Sequence, residues 1–261
     1  MQANYFAKKR RNSFSFLLIL GVVTILAILI TEYNIVKGFT SLPKAVEWAF
    51  GNFYPTLDSL SKLPDILDKL IETILVSVAA TTVGAAFAIL FAIMGSNTTK
   101  VNLFFGSISR GVATVFRNID VAAWAMILLF SFGQSSLTGY FALFFGSFGF
   151  LTRAFVETID EVSGGSVEAL RATGASYFSI IFQSVVPSSL PQMISWVLFM
   201  IETNIRSATL IGLLTGSGIG FTFNLYYKSL NYDIASLVVI VIAIAILSIE
   251  TISNYVRRVI L

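Results

Sequence analysis

Glu202 and Arg206 are the only charged residues between Pro187 and Leu214. Their four-residue spacing puts both on one face of a helix. Ionisable groups inside an apolar span are costly, so they face a cavity or a partner. Two chemistries fit. The pair neutralises itself as an ion pair, or Arg206 lies on a translocation path and offers its forked donors to an oxyanion. In the second case Glu202 flanks it, and Asn204 and Ser207 add neutral donors.

A second constellation is polar. Between Arg153 and Pro187 the chain reads Glu168-Ala169-Leu170-Arg171-Ala172-Thr173-Gly174, and Pro187 follows Gly174 by thirteen residues. Helix-forming residues run from Val167 to Ala172, and Gly174 stands where a helix ends in a left-handed residue. Ala175 to Val185 then restarts a helix, and Pro187 opens the next apolar stretch. The plain reading is an amphipathic pair lying on a surface. The sharper one is a helix–glycine–helix grip for a soluble partner. Gly212, Gly216, Gly218 and Gly220 form a third feature. No strand precedes them and their surroundings are apolar, so a dinucleotide loop is a poor reading; they bend the backbone near an outer gate, or simply pack helices tightly. Arg117 and Asp120 read as an interfacial pair with no substrate role.

Much chemistry is ruled out. With no cysteine and no histidine there is no disulfide frame, thiol nucleophile, imidazole base or usual zinc site. No metal site is expected. No Gly-Lys-Ser/Thr phosphate loop occurs, so any ATP and its Mg are expected on another chain, with no cofactor held here. Hydrophobic residues make up 56% of the chain and charged ones 12%, with a mean hydropathy of +0.84. That excess is spread along all 261 residues and marks an integral membrane protein. The net charge of +3 reads as topology signal, not as a nucleic-acid surface.

The elements that position these residues are apolar helices. Phe14 to Ile30 is charge-free and preceded by Lys8-Lys9-Arg10-Arg11. No small-residue cleavage site follows, so it reads as an uncleaved first span with its N-terminus in the cytosol. The second span is Thr73 to about Met94, rich in small residues that suit the bundle interior. Val121 to Thr152 holds thirty-two uncharged residues, too many for one crossing. Gly133-Gln134-Ser135-Ser136 divides it, giving spans at about Gly111–Phe132 and Leu137–Thr152. The fifth runs from near Pro187 to Leu214, and the sixth from Ile234 to about Tyr255. Thr31 to Glu72 is expected to form short amphipathic helices on the outer surface. Eleven of the seventeen basic residues then fall on the cytosolic side, with both termini.

The Glu168…Gly174…Pro187 spacing resembles the Glu-Ala-Ala…Gly…Pro loop by which bacterial ABC importer permeases dock into their ATPase. Phe199-Met-Ile-Glu-Thr-Asn-Ile-Arg-Ser-Ala-Thr-Leu-Ile-Gly-Leu and Gly216-Ser-Gly-Ile-Gly220 look like the phosphonate branch of that family. The resemblance covers roughly Arg117 to Leu261. It departs at Leu170, where the family has a second Ala, and at Ser184 and Val186. What it implies is an all-α polytopic bundle of six transmembrane helices, with type I importer (MetI-like) architecture. Residues 1–72 would be the tail, first helix and outer segment, and 73–261 the transmembrane core with a coupling loop at 153–187. Glu168, Ala169, Arg171, Gly174 and Pro187 would form the coupling helices. The implied partners are a second permease copy or paralogue, two ABC ATPase subunits, an extracytoplasmic binding protein and the lipid bilayer. The chain itself would be no enzyme. Cargo would be phosphonate, phosphate, phosphite or another small solute. An ATPase-independent secondary transporter would need more carboxylates inside its spans, where only Glu202 qualifies.

Overall fold

The computed structural model describes residues 2–260, with side chains from 9 to 259; Leu261 and the Lys8 side chain lie outside that range. Two compact units divide between Phe53 and Tyr54. The boundary expected at 72/73 instead falls inside a helix. The first unit holds α1 (Gln2–Ile30) and α2 (Ile35–Asn52). Lys9–Ile30 is long and apolar enough to cross a membrane. Asn34 caps α2 by accepting the Lys37 N–H at 2.9 Å, and the helix runs on through Pro43.

The second unit opens with a short 3-10 turn, Ser59–Lys62, that leads into α3 (Leu63–Gly95). Residues 63–72 therefore belong to a long helix and not to a surface segment. Pro64 sits in the first turn, where its missing N–H costs nothing. Ile66 and Leu70 are buried against Ile219, Leu237 and Val238, which fixes this end of α3 in the core.

After α3 come α4 (Leu103–Asn118) and α5 (Val121–Phe132), bent by 90° at the break between them. The third span expected at 111–132 is therefore not one helix. Asp120 leaves the helical path and caps α5 by accepting the Ala122 N–H at 2.8 Å. That commitment also removes the expected Arg117–Asp120 pair: no ion pair joins them among the described residues.

Next, α6 (Ser136–Val162) continues ten residues past the expected end at Thr152. Its inner turns are amphipathic. Phe155, Val156 and Ile159 are buried while Arg153, Glu157 and Glu161 stay exposed, so charge on one face does not end the helix. Then follow α7 (Gly164–Ala172), α8 (Tyr177–Ile180), a π turn (Ile181–Val185) and α9 (Val186–Thr215). After α9 lie α10 (Gly218–Lys228), a helix the sequence reading lacks, and α11 (Tyr232–Ile260). Among the described residues five helices are long and apolar enough to span a membrane, or six if the bent α4–α5 pair counts as one span.

The core is built where α3, α6 and α9 cross. Ala85, Ala88 and Ala92 of α3 pack with Phe148, Leu151 and Phe155 of α6 and Met193 and Met200 of α9. Small residues permit the approach: a Cβ on Gly84 would stand 3.1 Å from the Ser147 Cβ. At the same crossing Asn204 is fully buried. Its Nδ2 donates to Thr81 Oγ1 (2.7 Å) and Ser147 Oγ (2.6 Å). Both hydroxyls in turn donate to carbonyls of their own helices, so one side chain ties three helices together.

Candidate functional site

The helix–glycine–helix segment is built as its residues require, although α6 shortens the loop to residues 163–176. Val167 is completely buried and anchors α7, and Ser184 Oγ donates to Ser166 Oγ at 2.8 Å. Glu168, Ala169 and Arg171 are left on an exposed ridge. Gly174 follows with φ +78°, and a Cβ there would meet nothing within 4 Å. Its left-handed backbone lets the Ala175 N–H reach back to the Leu170 carbonyl at 3.1 Å. Pro187 lies in the first turn of α9, directly after the π turn. The helix therefore runs through it without a gap.

A tie beneath this ridge has no sequence signal. One Arg171 guanidinium nitrogen donates to the Thr98 carbonyl at 2.7 Å, in the turn between α3 and α4. That turn is held to α6 by Asp160. Its carboxylate accepts from Ser96 Oγ, from Thr98 N (3.1 Å) and Oγ1 (3.2 Å), and from Asn97 Nδ2 (3.2 Å). The partners lie more than sixty residues apart in the chain, which is why spacing along the sequence could not reveal them.

Glu202 and Arg206 do form an ion pair. Arg206 also approaches Glu250 of α11 at 3.4 Å, and Arg257 of α11 reaches Glu202 at 3.0 Å. Two arginines and two glutamates thus neutralise one another along the α9–α11 seam. Asn204 is not with them. Two residues along a helix is more than half a turn, so it points into the α3–α6–α9 crossing. The structure therefore does not assemble Asn204 with Arg206 into one donor set. Ser207 is half-buried.

The glycines close the α9–α10 corner. Gly216 ends α9 in the left-handed region at φ +67°, and Gly218 has φ +63°. Helices α9 and α10 then touch backbone to backbone. A Cβ on Gly220 would lie 1.8 Å from the Thr209 carbonyl oxygen, and one on Gly212 would lie 2.5 Å from that of Ser217. The Ile219 N–H donates to Thr73 Oγ1 at 2.9 Å, which fixes this corner to α3.

One further cavity, of about 300 Å³, opens between α4 and α6 and is lined by Ala113, Thr114, Arg117, Asn118 and Arg153. The sequence reading assigned both arginines to the cytosolic rim and gave them no ligand.

Residues 84–260 match the family described as binding-protein-dependent transport system inner membrane component. The chain belongs to that family. This inner membrane component is 27% identical over 203 residues to the phosphate-import permease protein PhnE of Mycolicibacterium smegmatis, covering 78% of the chain and 38% of that relative. It is 27% identical over 190 residues to the phosphite transport system permease protein PtxC of Stutzerimonas stutzeri, covering 72% and 69% respectively. Its fold matches that of the MetNI methionine ABC transporter in an inward-facing form. The TM-score is 0.62 at 17% identity, over 76% of this chain and 98% of that one. The all-helical, MetI-like importer architecture that the sequence resemblance implied is thus the one observed, in a multi-pass membrane subunit that serves transport.

Proposed function

We propose that this chain is the permease subunit of an ATP-driven importer that carries phosphonate or a related small oxyanion, such as phosphate or phosphite, into the cytoplasm. The observation that carries the reading is the exposed α7–Gly174–α8 ridge, set between buried helices and joined by Arg171 to the α3–α4 turn. A ridge that exposes Glu168 above a base tied down through Arg171 is built to be gripped. Glu168, Ala169, Arg171 and Gly174 would enter the cleft of an ATPase subunit, with Pro187 marking where the helix returns to the membrane. Relatives named for phosphate and phosphite import support the cargo class.

In this reading two ATPase subunits supply ATP and Mg, and an extracytoplasmic binding protein delivers the anion. A second permease, a copy or a paralogue, completes the path. Closure of the ATPase pair moves the ridges and switches the bundle between inward-open and outward-open forms. Residues 73–261 act as the transport core, and Gly212, Gly216, Gly218 and Gly220 hold the corner at its outer gate. Both termini are assigned to the cytosol.

Two experiments test this. Co-purification with an ATPase, followed by uptake of labelled phosphate, phosphite and methylphosphonate in vesicles containing the binding protein, checks the function; no ATP-dependent uptake of any of them refutes the cargo. Reporter fusions after Ile30 and Lys228 should read as external, and at Ser163 and Leu261 as cytosolic. An external Ser163 would put the ridge out of reach of any ATPase.

A further inference from the structure

Arg117 and Arg153 share one cavity beside the middle and inner half of α6. A Cβ on Gly149 would stand 2.5 Å from the Arg117 backbone nitrogen, so Arg117 lies against the midpoint of α6. That midpoint is roughly 20 Å along α6 from the α5–α6 turn, and Arg153 is one turn further, at roughly 26 Å. If α6 enters a hydrocarbon layer of about 30 Å at that turn, Arg117 lies inside the layer and Arg153 near its inner edge. The helical backbone is also interrupted here, because α4 ends at Asn118 and α5 leaves at 90°. Charged side chains and broken backbone at such depth are tolerated where they line water-filled space.

The two neighbouring carboxylates match the two arginines in charge but leave most of the guanidinium donors open. Glu157 accepts only the Arg153 Nε–H, at 2.6 Å, and Asp120 is committed to the Ala122 N–H. Arg117 has no ion pair among the described residues, and both Arg153 Nη groups remain unpaired. Arg206 is the opposite case, with a carboxylate on either side. The space of about 300 Å³ is at the small end of ligand sites, suited to an anion of a few heavy atoms with some of its water.

We propose that Arg117 and Arg153 form a holding station for a tetrahedral oxyanion on the transport path, with Thr114 and Asn118 on its wall. Forked guanidinium donors suit the paired oxygens of a phosphate-type ion. The station rests on the oxyanion reading of the function above. A lipid headgroup phosphate has the same chemistry, so the test must separate the two.

The chain has no cysteine, so Thr114→Cys places a single thiol at the cavity wall. In the assembled transporter in phosphatidylcholine vesicles, an anionic sulfonate thiosulfonate should label it in preference to a cationic trimethylammonium one. Inorganic phosphate should protect it. Adding Arg117→Gln and Arg153→Gln should lower the anion-to-cation rate ratio about tenfold or more. Without the cysteine, the two Gln substitutions should cut phosphate uptake to a similar degree while assembly with the ATPase persists, and Arg117→Lys should retain part of the uptake. An unchanged labelling ratio, a thiol closed to both reagents, or wild-type uptake by the double Gln variant overturns the station. Protection that needs phosphatidylglycerol and ignores phosphate also overturns it, in favour of a lipid. If the labelling preference and phosphate protection hold while no oxyanion is taken up by the wild type, the anion site stands, but its place on a transport path and the assigned cargo both fall.

Discussion

Arg257 on α11 donates to Glu202 on α9 at 3.0 Å, across fifty-five residues of chain. From sequence, Arg257 counts only as one of the eleven basic residues on the cytosolic side. Instead, Arg257 completes the charge balance of a carboxylate that is 11% exposed. The pairing favours neutralisation over a pathway role for Glu202 and Arg206.

Glu202→Gln should therefore act on stability. It leaves Arg257 and Arg206 with one fewer carboxylate in a partly buried seam, at a cost of about 2–3 kcal/mol. Arg206→Gln removes a partner whose side chain is 49% exposed, and Glu202 keeps Arg257, so the cost is under about 1 kcal/mol. Unfolding midpoints in detergent should rank them in that order. Equal midpoints, or loss of transport by a fully stable Arg206→Gln complex, would return Arg206 to the pathway.

The α9–α10 corner makes a steric prediction. Gly220→Ala brings a methyl 1.8 Å from the Thr209 carbonyl, and backbone cannot yield as a side-chain tip can. We expect roughly 3 kcal/mol or more of destabilisation. Gly111→Ala, with nothing within 4 Å, should be neutral or stabilising by up to about 1 kcal/mol. Protease resistance of the two variants in detergent checks this. A Gly220→Ala protein as resistant as the parent would show that the corner is looser than drawn.

What could be read from sequence was what local physics dictates. Five apolar helices, the left-handed Gly174 and the Glu202–Arg206 pair all follow from runs or spacings of a few residues. The α4–α5 break was missed because Val121–Phe132 is apolar on every side, and nothing in composition distinguishes a twelve-residue helix from half of a longer one. Its one clue was Asp120, a good N-cap residue, which had been read as a partner for Arg117. The inner end of α6 was missed because Arg153 and Glu157 looked like a loop, although Phe155, Val156 and Ile159 keep a buried face. Contacts such as Arg171 with Thr98 join segments that only the tertiary fold brings together.

Asp160 offers a test of that tie. Asp160→Asn keeps the shape but replaces one oxygen by a donor, facing the Thr98 and Asn97 donors it formerly accepted. The α3–α4 turn should loosen, and with it the Arg171 contact. We expect faster hydrogen exchange in residues 96–102 and partial loss of ATP-coupled transport, with the helical content unchanged. Normal coupling together with loosened exchange would mean that the turn carries no motion from the ridge.

The ridge itself depends on Gly174. Its φ of +78° is strained for any residue with a Cβ, yet the space around it is empty, so conformation alone sets the cost. Asn visits this region with little penalty, Ala pays about 1–2 kcal/mol, and a β-branched residue more. Coupled transport should therefore fall in the order Gly174→Asn, Gly174→Ala, Gly174→Val. The valine variant should insert normally yet either hydrolyse ATP without transport or release the ATPase. Size alone predicts a different pattern, in which Asn, bulkier than Ala, is the worse of the two. Uptake measured beside ATP hydrolysis in the same vesicles separates them, and a valine variant with full coupling would remove the left-handed turn from the mechanism.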